Sequence, residues 1–195
     1  GNFSQEMKEW GAAIESYKAI VRDFPEHTLA ADAQYKLGQC YEKAGQFDNA
    51  IEAYVTLAAS YPKSPLIASV MMRINEHFYR DEEYLVAAGV AEKFLERFDA
   101  HEHAPRMAFR AGQCYYKAEV YGDAGETFDM FAKKFPDDDL TAQALFWAGE
   151  SYRMAGRIPE AFWRYNRCRT DFPESDAAKY SRGRLALPEL LAQFE

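Results

Sequence analysis

The stretch AADAQYKLGQCYEKAGQFDNAIEAY, residues 30–54, decides the fold. Ala30, Ala33, Leu37, Gly38, Tyr41 and Ala44 step by three and four residues, so a helix would carry them on one face. Phe47, Ala50, Ile51, Tyr54 and Leu57 step in the same way after Ala44, Gly45 and Gln46, where Gly45 suits a helix end. The spacing predicts two helices joined by a tight turn. The pair closes at Tyr61 and Pro62, and Ser64, like Ser175 later in the chain, stands where a side chain can cap the next helix.

Outward from this stretch, the pair recurs. An aromatic residue precedes proline at Phe24, Tyr61, Phe135 and Phe172, and Phe98 holds the remaining place, each 37 residues from the last. The same step carries Ala13 to Ala50, Ala87, Ala124 and Ala161, Tyr41 to Phe78, Tyr115 and Tyr152, and Gly38 to Asn75, Gly112 and Gly149. Chance does not align several columns, and a fixed period of this length means one helical unit repeated, each burying its apolar face on the next. The second copy departs most. It has Asn75 and Glu82 in the two glycine columns, Ala91 where its neighbours have Tyr54, Phe128 and Tyr165, and a link running from Phe98 through His101, Glu102 and His103.

Tyr35, Leu37, Gly38, Tyr41, Gly45, Ala50, Tyr54 and Pro62 together resemble the tetratricopeptide signature, and the likeness spans essentially the whole chain. It implies an all-α solenoid of tandem helix-turn-helix units in a right-handed superhelix, serving as a non-catalytic scaffold that binds a protein or peptide. The long period and the run ALFWAGESY at 144–152 are similar to a bacterial cell-envelope subgroup. That subgroup includes the lipoprotein of the outer-membrane β-barrel assembly machine and the TolA-binding protein of the Tol–Pal system. The similarity implies a periplasmic or outer-membrane-associated address. Residues 1–195 are expected to form a single solenoid domain of about five repeats, cut from a longer chain, with Gly1 as a tag scar. Residues 1–7 would then be the last turns of a truncated helix, and Pro188 would break a final helix that starts near Ser175.

Composition excludes several functions. A net charge of −8 argues against nucleic-acid binding, which relies on Lys and Arg neutralising phosphates. No apolar run reaches the roughly 18 residues of a membrane span. Cys40, Cys114 and Cys168 fit neither a disulfide framework nor zinc-ligand spacing. Cys40 and Cys114 share a column with His77 and Ser151, but two repeats separate them, farther than a disulfide reaches. His101 and His103 flank Glu102 without an assignable further ligand, and Asp137, Asp138 and Asp139 read as a helix N-terminal cap. With no phosphate loop and no nucleophile elbow, no catalytic residue, cofactor or metal is assigned.

Opposite the core stripe, each first helix presents further columns. Tyr35, Met72, Phe109 and Phe146 form an apolar one, while Lys36, Arg73, Arg110, Trp147 and Arg184, and then Lys43, Arg80, Lys117 and Met154, form largely basic ones. The candidate partner-binding residues are therefore Tyr35, Gln39, Lys43, Met72, Arg80, Phe109, Arg110, Lys117 and Phe146. Two readings of this stripe stand side by side. In one it is a groove for an acidic segment, with aromatic anchors beside arginine. In the other the apolar column packs against the neighbouring repeat and the basic columns pair with Glu42, Glu76 or Glu150. The chaperone-type carboxylate clamp is missing, since Tyr35 and Gln39 stand where that clamp resembles Lys and Asn. Alternative functions are a structural spacer that homo-oligomerises through open repeat ends, and a non-catalytic region of a larger enzyme or secretion protein.

Overall fold

The computed structural model describes residues 2–192 and, among them, eleven helices and no strand. α1 runs Asn2–Asp23, α2 Ala30–Lys43, α3 Phe47–Ser60 and α4 Ile67–Arg80. α5 runs Tyr84–Arg97, α6 Ala104–Lys117, α7 Tyr121–Lys134, α8 Thr141–Met154 and α9 Ile158–Asp171, followed by α10 Asp176–Leu185 and α11 Pro188–Leu191. The chain groups into two compact units: unit 1 ends at Glu82 and holds α1–α4, and unit 2 begins at Glu83 and holds α5–α11. None of the described helices is long and apolar enough to cross a membrane.

Within each unit, first and second helices lock together by a size match. A Cβ on Gly149 would lie 2.6 Å from the ring of Tyr165, and one on Gly112 would lie 2.7 Å from the ring of Phe128. Only glycine lets α8 approach α9, and α6 approach α7, this closely, and the aromatic ring fills the space the missing side chain leaves. Ala50, Ala87, Ala124 and Ala161 are all buried, as close helix contacts require.

The turn after each first helix needs a left-handed residue. Gly45 and Gly156 supply it with φ of 71° and 74°, while Glu82 and Glu119 adopt the same conformation at 63° and 62°. A glutamate there bears the Cβ clash that glycine lacks. Glu119→Gly is therefore expected to stabilise the chain by about 1 kcal/mol in denaturant titration. An unchanged midpoint would mean that another contact of the glutamate offsets the strain.

The links carry a second device. His27 Nδ1, Ser64 Oγ, His101 Nδ1 and Asp138 Oδ1 each accept a hydrogen bond from the backbone N–H two residues on, at 2.8–3.2 Å. Two expectations are corrected here. Ser64 and the acidic run do not cap helices: the residues before α4 and α8 are Leu66 and Leu140, without side-chain caps, and Ser64 and Asp138 hold the turn ahead of them. Ser175 does cap, accepting from Ala178 N–H at 3.1 Å. At the front, α1 continues without a break from Asn2, so residues 2–7 belong to one long helix and not to a separate truncated one; Gly1 lies outside the described residues. Lys8 stands in the turn column of Gly45, and the nearest glycine, Gly11, lies inside α1. α10 ends at Leu185, and Pro188 opens α11 at a position that needs no N–H donor.

Cys40, Cys114 and Cys168 are all buried free thiols. Burial pushes each thiol pKa up, that of Cys114 to about 12.

Candidate functional site

In unit 1 the candidate residues are largely committed to the fold. The Tyr35 ring tilts against Tyr54 at 5.8 Å between centroids, and its hydroxyl accepts from Arg73 Nε at 3.2 Å. Arg73 then donates to Glu42 at 2.6 Å. Gln39 accepts from Lys36 at 3.1 Å, and Met72 is half-buried. Arg80 lies over the exposed Phe47 ring at 4.2 Å and bonds Asp81, while Lys43 is exposed. The pairing of Arg73 with Glu42 is the ladder that the second reading expected.

Unit 2 differs. Phe109 is buried edge-on against Phe128 and Phe131, at 5.2 and 5.7 Å, so the expectation that it offers an exposed anchor is corrected: it is core. The next turns of the first helices supply a surface instead. α6 places Tyr116, α8 places Phe146 and Trp147, and α10 places Tyr180. Tyr116 meets Trp147 edge to face at 5.0 Å, Trp147 meets Phe146 at 5.7 Å, and Phe146 meets Tyr180 at 5.9 Å. Tyr116, Phe146 and Trp147 are half-buried, and Tyr180 is 65% exposed. Large rings left part-open beside one another are unusual for a surface that binds nothing.

This aromatic row rests on a buried carboxylate. Glu150 is 4% exposed and accepts from Arg184 through both oxygens, at 2.6 and 3.2 Å, from Arg153 at 3.3 Å and from the Tyr165 hydroxyl. Burial alone would raise its pKa. The hydrogen bonds from Arg184 and Tyr165 and the nearby Arg184 and Arg153 charges outweigh burial, so Glu150 stays below the usual carboxylate range. Tyr165 is pushed up by burial and by the Glu150 charge. The network ties Arg184 to α8, the helix of Trp147, and leaves its side chain 42% exposed. α6 carries Arg106, Arg110 and Lys117, and Lys117 is exposed.

Sequence reasoning singled out Phe146, Arg110 and Lys117 but passed over Tyr116 and Tyr180. Tyr116 shares its column with Glu42, Tyr79 and Arg153, so tyrosine in two of four copies gives only a weak periodic signal, and Tyr180 shares its column with no other aromatic residue. His101 spends Nδ1 on the His103 N–H and packs edge-on against Phe94 at 5.6 Å, so it serves its turn. Among the described residues no cluster of three or more His, Cys, Asp or Glu side chains is gathered as a metal site.

A search of curated proteins gives no match. Structural neighbours share the fold at low identity. A tetratricopeptide repeat protein from Parabacteroides merdae is 18% identical over 91% of this chain, with a TM-score of 0.61, and the chain spans 66% of that protein's length. YrrB, described as a TPR protein with an unusual peptide-binding site, is 16% identical, with 93% of this chain and 88% of YrrB covered and a TM-score of 0.62. MamA is 17% identical, with 92% of each chain covered and a TM-score of 0.59. Tetratricopeptide repeat family models match residues 32–64 and 143–175, and residues 76–139. Helix pairs that seat an aromatic ring on glycine, repeated through both units and matched by these models over more than half its length, make the chain a member of the tetratricopeptide repeat family.

Proposed function

We propose that the chain is a non-catalytic scaffold that binds an acidic polypeptide segment on unit 2, at the surface of Tyr116, Trp147 and Tyr180. Repeats of this family are generally protein-interaction scaffolds, and YrrB is a relative by fold that binds a peptide. The observation that carries the reading is the part-open aromatic row beside Arg184. Aromatic side chains flanked by arginine are the residues from which interface hot spots are built. The basic side chains of α6 would complement an acidic partner in a protein whose net charge is −8. A bacterial cell-envelope complex is the setting the repeat pattern suggests, and it rests on that likeness alone.

The test separates anchor from steering. The partner recovered from a native envelope extract should dissociate faster from Trp147→Ala, losing more than about 1 kcal/mol of affinity. Lys117→Glu, at an exposed position, should slow association and weaken its salt dependence, with the dissociation rate little changed. A partner that binds both variants as it binds the parent would refute this surface, and recovery from cytosolic extract alone would refute the envelope setting.

A further inference from the structure

Two repeat columns meet across neighbouring first helices in both units, and they carry a different balance of charge in each. In unit 1 they are Glu42 of α2 and Arg73 of α4, paired at 2.6 Å, one carboxylate on one guanidinium. In unit 2 the same columns first meet as Tyr116 and Trp147, at 5.0 Å between rings. One copy further along they hold Arg153 of α8 and Arg184 of α10. The acid now stands three residues earlier, at Glu150, and the Nη2 atoms of Arg153 and Arg184 converge on its Oε2 at 3.3 and 3.2 Å. Two guanidiniums thus share one carboxylate, and no other acidic side chain pairs with either among the described residues. Water is poorly placed to carry the surplus charge. Glu150 is buried, the Arg153 side chain is 25% exposed, and Arg153 Nε is buried without a hydrogen-bond partner among the described residues. A partly buried positive charge is costly unless an anion meets it.

We propose that an aspartate or glutamate side chain of the partner segment supplies the second carboxylate, between Arg153 and Arg184. The assignment rests on unit 2 being the partner-binding surface and names the group recognised there. Tyr116 and Trp147 hold the columns of Arg153 and Arg184 one copy earlier, so the aromatic pair lies alongside the two arginines. A segment that lays an apolar residue on Trp147 therefore brings its next acid within reach of both guanidiniums. Arg184 gives Glu150 its Nε and Nη2, which leaves Nη1, and in unit 1 it is Nη1 of Arg73 that holds Glu42. Both edges of a guanidinium suit a carboxylate, so one arginine can serve Glu150 and the partner together. Unit 1 needs no such partner, because Glu42 already balances Arg73. Neither arginine stands in the column of Tyr35 or Gln39, so this place is distinct from a clamp for chain-terminal carboxylates.

Decapeptides selected from a display library on the intact chain, then resynthesised with both ends capped and labelled, test this by fluorescence anisotropy. They should carry an aspartate or glutamate at one fixed position. Replacing it with asparagine or glutamine should weaken binding about tenfold or more on the parent, and less than about twofold on Arg153→Gln. Arg153→Gln leaves one carboxylate on one guanidinium, the balance of unit 1, so its melting curve should match that of the parent. The contrast between acid and amide on the parent holds whatever the stability of that variant. Peptides that need Trp147 but no acid overturn the proposal, as does a fixed acid whose loss costs the same on both chains, and in either case the aromatic surface stands. Binding that requires an uncapped C-terminus assigns the arginines to a chain end and overturns it as well. A library without binders, or with binders indifferent to Trp147→Ala, refutes the surface itself and the proposal with it.

Discussion

Replacing Phe128 with alanine is expected to cost about 3–5 kcal/mol, because a fully buried ring would leave a cavity between α6 and α7. The loss should lower the melting temperature by roughly 10 °C in a chain of this size. A sharper result comes from the cycle with Gly112. Gly112→Ala alone drives a methyl into the Phe128 ring and should destabilise by about 1–3 kcal/mol. In the Phe128→Ala background the same change meets no ring, improves helix propensity, and should be neutral or stabilising. Additive effects would disprove the size match as the lock between the two helices.

Glu150→Ala is the second large effect, at about 3 kcal/mol. Removing one member of a buried charged network costs about 3–5 kcal/mol, and the lower end applies because Arg184 can turn back into water. Acid should do gradually what the mutation does at once. The folded Glu150 pKa lies below the ordinary 4.5, so its contribution is complete above that value and is lost as pH falls through the depressed folded value. Stability of the parent should therefore drop on acidification below about pH 4.5 more steeply than that of Glu150→Gln. Parallel curves would show that Glu150 is not held in its charged form by its partners. Because Arg184 and Trp147 flank this carboxylate, partner binding should weaken over the same pH range.

The helix pairs were legible because glycine and aromatic residues recur at fixed intervals, and each glycine meets its ring. The copy that carries Asn75 in the glycine column also carries Ala91 in the aromatic column, so even the departure was written in the sequence. Features made by one residue in one copy were not legible. Tyr180 gave no column and Tyr116 only a partial one with Tyr79, and Phe109 stood open between groove and core because helical phase alone cannot tell a face toward solvent from a face toward the next helix. The left-handed Glu119 was hidden for a different reason: glutamate carries no turn signal, and only the glycine in the sister copies hints at it. Glu150 was expected to pair with a basic column, as Arg184 does, but its burial was not legible, since that depends on Arg184 and Tyr165 arriving from two other helices.

The three shielded cysteines turn the chain into its own stopwatch. A thiol whose pKa burial has raised, and which no reagent can reach, reacts when its helix opens. Cys40 sits in α2 of unit 1, whereas Cys114 and Cys168 sit in α6 and α9 of unit 2. The labelling rate of each, followed by mass spectrometry of the fragments, dates the opening of one segment without any introduced probe. A chain that unfolds all at once labels the three together. A chain that frays labels them in sequence, and the order names the end from which it comes apart.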